Sequence, residues 1–383
     1  MKSKGKNVKK TRVAILFGGK SGEHEVSIVS ALSIYKALDK EKYDITLVGI
    51  DKTGRWLLPE QTQLLTQSQN PQLIKLNQSL NTVSLLPFPT ENNLIPVGGG
   101  ASSQKAMQFD VVLPILHGTY GEDGTIQGLL ELAQVPYVGA GVLASALGMD
   151  KELTKRVLHG AGIPIVPFLS VKRHEFLSQK ESILKKSQEQ FGYPYFVKPA
   201  NLGSSVGVNK VKNEKEANSK FEDAFQYDTK ILIEQAIDAR ELECAVLGNH
   251  NPQASIVGEV IPHHEFYSYE AKYIDPNGAD LKIPAENLSA QIIAQVQEFS
   301  VKAFKALECS GMARVDFFLD RKSGSLYLNE LNTIPGFTQI SQYPKLWEAS
   351  GLPYSRLLDR LIELAFERHK EKASLKTSYE PLS

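Results

Sequence analysis

The sequence predicts a mixed α/β and α+β protein of two or three domains, and three observations carry that expectation. A chain of 383 residues is long for one hydrophobic core. Its first patterned stretch, residues 12–37, passes from a β-branched run through Gly18 and Gly19 into an amphipathic helix, the opening of a doubly wound α/β unit. Near its other end, RVDFFLDRKSGSLYLNELNTIPG at 314–336 places two apolar runs around a polar turn, the pattern of a β-hairpin.

Composition narrows the function. Hydrophobic residues make up 42% and charged residues 22%, as in soluble globular proteins. Lys+Arg and Asp+Glu are each 43, so overall charge gives no support to nucleic-acid or membrane-surface binding. No apolar stretch approaches the ~20 residues that a bilayer span needs. The basic run at 1–11 lacks the apolar core of a signal peptide and reads as a disordered tail. Cys244 and Cys309 are the only cysteines, too few for a disulfide framework or a zinc site. The expectation is a cytoplasmic enzyme with reduced thiols.

The elements follow in order. After the strand at 12–17, Gly19, Lys20 and Ser21 hint at a P-loop, but that loop needs glycine at position 14, where Ala14 stands. The dinucleotide-binding glycine fingerprint is absent as well. Glu25, in the first helical turn, either complements the helix dipole or holds a substrate ammonium. A strand at 44–50 precedes residues 52–106, rich in Gln, Asn and Ser, which read as loops and edge strands. Residues 111–116 form a buried parallel strand. His117 stands at its C-terminal end, where α/β sheets place ligands, and a helix follows at 125–133.

Residues 136–141 mark a domain boundary. A capped helix begins at Asp150, and Lys151 in its first turn opposes the helix dipole, a local conflict that points to function. A charged helix at 172–190 leads into a hairpin whose loop carries Gly203, Ser204, Ser205 and Gly207. Such a loop offers N–H and hydroxyl donors to phosphate oxygens, with Lys198 as a point charge at the strand end. A helix at 214–225 precedes two strands around residues 238–240, with Glu234 and Glu241 flanking their turn. The aromatic, polar stretch 263–280 is too long for a connector and reads as a lid. A helix at 286–308 leads to the hairpin, and another at 352–369 closes the chain. In the hairpin, Asp316 lies on one strand and Glu330 and Asn332 at the end of the other, so three oxygen-bearing side chains converge at one end. That set suits Mg²⁺, and the apolar residues around it argue against merely solvated acids. Arg314 adds a fixed positive charge beside it.

In this order and spacing, GGKSGEHEVS, HGTYGEDGTIQG, MDKELTK, VKPANLGSSVGV, IEQ with ARELE, YEAKY and RVDFFLD with LNELNTIPGFT resemble the D-alanine–D-alanine ligases of the ATP-grasp superfamily, over about residues 13–365. The resemblance implies an N-terminal Rossmann-like (pre-ATP-grasp) domain at 12–140 and a two-part ATP-grasp fold. Its central subdomain spans 141–235 and its C-terminal subdomain, with lid and metal site, spans 236–370; a tail follows at 371–383. It implies ATP-dependent joining of two D-alanines, through an acylphosphate and a tetrahedral intermediate, for peptidoglycan synthesis. ATP would lie among Lys151, Lys198, Ser205 and Glu234, and also touch Gln235, Ile237, Glu241 and Lys272. Two Mg²⁺ ions, with Mn²⁺ as an acceptable substitute, would be held by Asp316, Glu330 and Asn332. Glu25 would pair with the first D-alanine's ammonium, and Ser204 and Tyr273 would complete a hydrogen-bonded bridge from Glu25 to the lid. Arg314 and the Gly336 N–H would stabilise the oxyanion, with Ser341 and Gln342 near the second substrate's carboxylate. Gln235 departs from the lysine many relatives carry there. Tyr273 favours a dipeptide over a depsipeptide product, and the family suggests a homodimer.

Overall fold

A computed structural model describes residues 9–58, 81–90, 93–97, 106–263 and 278–379. Most of the basic tail, the glycine run at 98–100, and the lid segment with Lys272 and Tyr273 lie outside the described residues. The described residues build three sheets.

The first sheet has the order β5-β4-β3-β2-β1-β6, from β1 (Thr11–Gly18), β2 (Tyr43–Ile50), β3 (Trp56–Leu58), β4 (Asn81–Leu85), β5 (Leu94–Pro96) and β6 (Val111–Ile115). β1 pairs in parallel with β2 on one side and β6 on the other. The strand order therefore reverses at β1, and the crevice outside its C-terminal end is where such sheets bind ligands. The short antiparallel β3, β4 and β5 extend the sheet beyond β2, with β5 at its edge. Helix α1 (His24–Ala37) leaves the glycine turn after β1, and α2 (Thr125–Leu132) follows the loop after β6.

The second sheet, β7-β10-β8-β9, is antiparallel throughout: β7 (Phe168–Lys172), β8 (Tyr195–Pro199), β9 (Asn209–Val211) and β10 (Lys230–Gln235). Strand alternation divides its side chains. Tyr195, Val197, Ile231 and Ile233 enter a core with Phe176 of α5 (Arg173–Phe191) and Phe221 of α6 (Glu214–Tyr227). Lys198 and Glu234 thereby point from the opposite face.

The third sheet, β13-β12-β11-β14-β15, comprises β11 (Ala239–Gly248), β12 (Gln253–Pro262), β13 (Ala279–Lys282), β14 (Gly311–Asp320) and β15 (Leu326–Asn332). One face supplies Leu242, Cys244, Val315, Phe317 and Leu328 to a core with α7 (Ala290–Ala306). α3 (Val142–Met149) and α4 (Lys151–Gly160) send Ala144 and Leu158 into that same core. These two helices precede the second sheet in the chain but share their apolar contacts with the third. On the other face, Ala245, Leu247 and Met312 join a core with α8 (Gln342–Ala349), α9 (Tyr354–Ala373), and β1 and α1 of the first sheet. Farther along that face the residues turn polar.

Candidate active site

The polar end of the third sheet is ordered by strand register. Glu243 of β11 pairs with Asp316 of β14, which pairs with Glu330 of β15, so three carboxylates stand side by side across neighbouring strands. In the adjoining row Arg314 pairs with Asn332. Between Asp316 and Phe317 the register shifts at a bulge, and Asn329 is the extra residue. Leu326 and Leu328 are in the core and so is Leu331, while Asn329 and Glu330 between them both face away from it.

Like charges directly across a sheet repel, so this row calls for cations. Arg314 answers in part: its Nε donates to Asp316 Oδ1 at 2.7 Å and its Nη2 to Asp316 Oδ2 at 2.6 Å. The same Nε lies 3.1 Å from Glu243 Oε2. Desolvation works against the guanidinium, but Asp316 and Glu243 more than offset it and hold its pKa well above the ordinary arginine value. Asn332 Nδ2 donates to Asp316 Oδ2 at 3.0 Å, which leaves its amide oxygen for a cation. Two carboxylates and an amide oxygen make an all-oxygen set that fits a hard divalent ion. Among the described residues no three His, Cys, Asp or Glu side chains converge as a metal cluster, so that set needs the Asn332 amide.

A second cluster has the opposite imbalance. Glu234, buried on β10, receives Lys198 Nζ at 2.8 Å on one carboxylate oxygen and Lys155 Nζ at 3.2 Å on the other. Lys155, absent from the residues expected at the site, is fully buried. Burial pushes its pKa down to about 8 against the pull of Glu234, and the same two lysines keep the Glu234 carboxyl below its ordinary range despite its own burial. The signal for Lys155 was its place one helical turn after Lys151, on the same side of α4. Lys151 Nζ donates to Leu202 O at 2.5 Å and lies 3.8 Å from Glu330 Oε2. This explains a lysine in a first turn: the side chain serves the site, while Asp150 caps the helix by accepting from the Leu153 N–H at 3.1 Å. Lys198 also reaches Asn329 Oδ1 at 3.5 Å, so the two clusters adjoin. Of the other expected nucleotide contacts, Gln235 ends β10 with its side chain exposed. Ile237 is half-buried in the connector to β11, and Glu241 lies on the same face of β11 as Glu243.

The loop after β8 closes the site from above. Ser204 and Ser205 adopt positive φ of 50° and 60°, uncommon for residues with side chains, and Gly207 follows at 70°. A Cβ on Gly207 would come within 2.7 Å of the Tyr227 ring, so only glycine fits there. The Ser204 hydroxyl donates to Glu23 Oε1 across 181 residues of sequence.

That bond corrects the expectation for Glu25. Glu25 pairs instead with Lys52 at 2.7 Å, and this ammonium holds its carboxyl below the usual range although burial pushes the other way. The physical reason is helical phase. Residues two apart lie on different sides of a helix, and α1 begins at His24, so Glu23 at its mouth faces the loop while Glu25 turns outward.

Near Glu23 lie His117 and Glu122. His117 is buried, with Nδ1 3.1 Å from the Ile334 carbonyl oxygen, and burial lowers its pKa. Glu122 accepts the Gly118 N–H at 2.7 Å; desolvation and the neighbouring Glu23 charge push its pKa up to about 8. Gly336 lies against Ser341, whose Oγ would be 2.7 Å from any Cβ placed there. Ser341 itself accepts the Thr338 N–H at 2.9 Å and contacts the Thr338 hydroxyl at 2.8 Å, so it shapes the turn that carries Gly336. Gln342 is buried beside it.

A Rossmann-like sheet followed by two further sheets, with cationic and acidic clusters meeting between them, defines an ATP-grasp protein. Comparison with known proteins is specific. Residues 12–140 match the family model described as D-ala D-ala ligase N-terminus, and residues 157–363 match D-ala D-ala ligase C-terminus. A D-alanine–D-alanine ligase from Shouchella clausii is 50% identical over 370 residues, covering 96% of this chain and 98% of the relative. The solved D-alanine–D-alanine ligase from Coxiella burnetii superposes with a TM-score of 0.81 at 40% identity, covering 95% of this chain and 97% of that one. The VanG D-Ala:D-Ser ligase from Enterococcus faecalis gives 0.80 at 35%, covering 93% and 100%. The chain belongs to the D-alanine–D-alanine ligase family.

Proposed function

We propose that the chain joins two D-alanines into D-alanyl-D-alanine, converting ATP to ADP and phosphate, to supply peptidoglycan synthesis. The observation that supports this best is the meeting of the two clusters. A lysine-rich group suits nucleotide phosphates, and a carboxylate row beside it suits the divalent cation that accompanies them. In this reading the first D-alanine's carboxylate attacks the γ-phosphate, and the second D-alanine's amine then displaces phosphate from the acylphosphate.

Lys198 and Lys151 orient the phosphates as fixed charges, with Glu234 holding Lys198 in place and Lys155 pairing with the other Glu234 oxygen. Ser205 and its loop neighbours supply N–H donors above them, and Gln235, Ile237 and Glu241 border the rest of the nucleotide. Glu23, held by Ser204, takes over the role expected of Glu25 and receives the first substrate's ammonium. Arg314, with the Gly336 N–H, stabilises the developing oxyanion. Asp316, Glu330 and Asn332 would hold two Mg²⁺ ions, with Mn²⁺ able to substitute, which supply charge neutralisation at the transferring phosphoryl group. Lys272 and Tyr273 belong to the proposed lid, with Ser341 and Gln342 toward the second substrate. We place the enzyme in the cytoplasm as a homodimer; among the described residues no helix is long and apolar enough to cross a membrane. Phosphate release with D-alanine, L-alanine and a D-alanine/D-serine mixture tests the assignment. Turnover with L-alanine equal to that with D-alanine would defeat it, and preferred consumption of D-serine would redirect it to a D-Ala:D-Ser ligase.

A further inference from the structure

Glu243 has no part in the scheme above, yet it is buried at 7% exposure beside its two most charged neighbours. It stands in register with Asp316 and diagonal to Arg314, which pairs with Ala245 two residues farther along β11. Arg314 spends its directed hydrogen bonds on Asp316, at 2.7 and 2.6 Å, and meets Glu243 at 3.1 Å as an ion pair. A carboxylate that gives both oxygens to a guanidinium fork has little left for a cation. The two uses of Asp316 therefore compete, and a guanidinium released into a buried site needs another anion.

We propose that Glu243 is a positioning residue for Arg314, the anchor that receives the guanidinium when Asp316 engages the divalent cation. This rests on the assignment of Asp316 to the cation set. Both carboxylates sit on neighbouring strands of one sheet, so in the handover Arg314 Nε turns from Asp316 to Glu243, already 3.1 Å away, and Nη2 releases Asp316 Oδ2. The arginine stays where an oxyanion would form, and Asp316 is freed without leaving a buried charge alone.

The test is Mn²⁺ binding in the presence of ADP, read by the electron paramagnetic resonance of free Mn²⁺, which requires no turnover. Glu243→Gln should weaken Mn²⁺ binding by ~10–100-fold, the usual effect of removing a group that supports a metal ligand. In an Arg314→Met background the same substitution should change nothing, because no guanidinium is left to compete for Asp316. Equal weakening in both backgrounds would mean that Glu243 acts on the ion by charge alone and would overturn the proposal, as would unchanged binding with Arg314 present. Unchanged binding in Asp316→Asn would remove the cation assignment, and the proposal with it. Should Glu243→Gln not fold, Glu243→Asp serves with the same expected sign, since its shorter side chain withdraws from the guanidinium.

Discussion

The two charged clusters of the site are built to opposite plans. On the second sheet one carboxylate, Glu234, sits between two lysines, Lys155 and Lys198. On the third, three carboxylates in register share one arginine. Neither group is balanced alone, and they touch through Lys198 with Asn329 and Lys151 with Glu330. The difference teaches that each surplus awaits a ligand of the opposite sign, anionic phosphate for one and a cation for the other.

The largest blow to this comparison should come from the acidic side. Glu330→Gln keeps the side-chain shape but removes a charge, and phosphate release should fall to background in a variant that still unfolds cooperatively. Wild-type turnover would sink the reading of the carboxylate row. Arg314→Lys retains charge but loses the planar fork, and turnover should fall by ~10²–10³ as for loss of an oxyanion donor. A change smaller than about threefold, against that expectation, would make Arg314 structural. Glu23→Gln should raise KM for the first D-alanine while leaving KM for ATP near wild type. The opposite split would move Glu23 to the nucleotide half.

Lys155 gives the cationic side its own signature. Its folded pKa of about 8 lies below the ~10.4 of an unfolded lysine. Between these values the unfolded chain binds more protons, so this residue's contribution makes stability rise with pH across that window. Urea unfolding of wild type and Lys155→Met at pH 8 and pH 10 should show wild type gaining relative to the variant. No relative gain would mean that Lys155 is not buried as a charge beside Glu234. The smallest effect belongs to Glu25→Gln, which loses only a partly exposed pair with Lys52, worth ~0–1 kcal/mol. Loss of D-alanine affinity in that variant would restore the sequence-based assignment over the structural one.

Much of this was legible in the residues themselves. The glycine turn after β1, the alternation in β8 and the D…E-x-N hairpin name their elements because local chemistry dictates them. The residues that escaped are those whose role depends on phase or distance. Glu23 and Glu25 differ by a rotation fixed only where α1 begins. Glu243 enters the site through pairing with β14, about 70 positions away in sequence, a register no local pattern contains. α3 and α4 look like part of the unit that follows them in the chain, and only their buried faces show which sheet they serve.

The bulge in β15 has a consequence for how the site keeps its scale. Strand neighbours normally point to opposite faces, so one strand cannot hand consecutive side chains to two partners on the same side. The extra residue lifts that restriction: Asn329 reaches the lysine cluster and Glu330, its immediate neighbour, stands in the acidic row. The spacing between the two halves is thus written into a single peptide unit, with Cα atoms ~3.8 Å apart. Two lysines from different elements, Lys198 and Lys151, are thereby referred to neighbouring residues of one strand, Asn329 and Glu330.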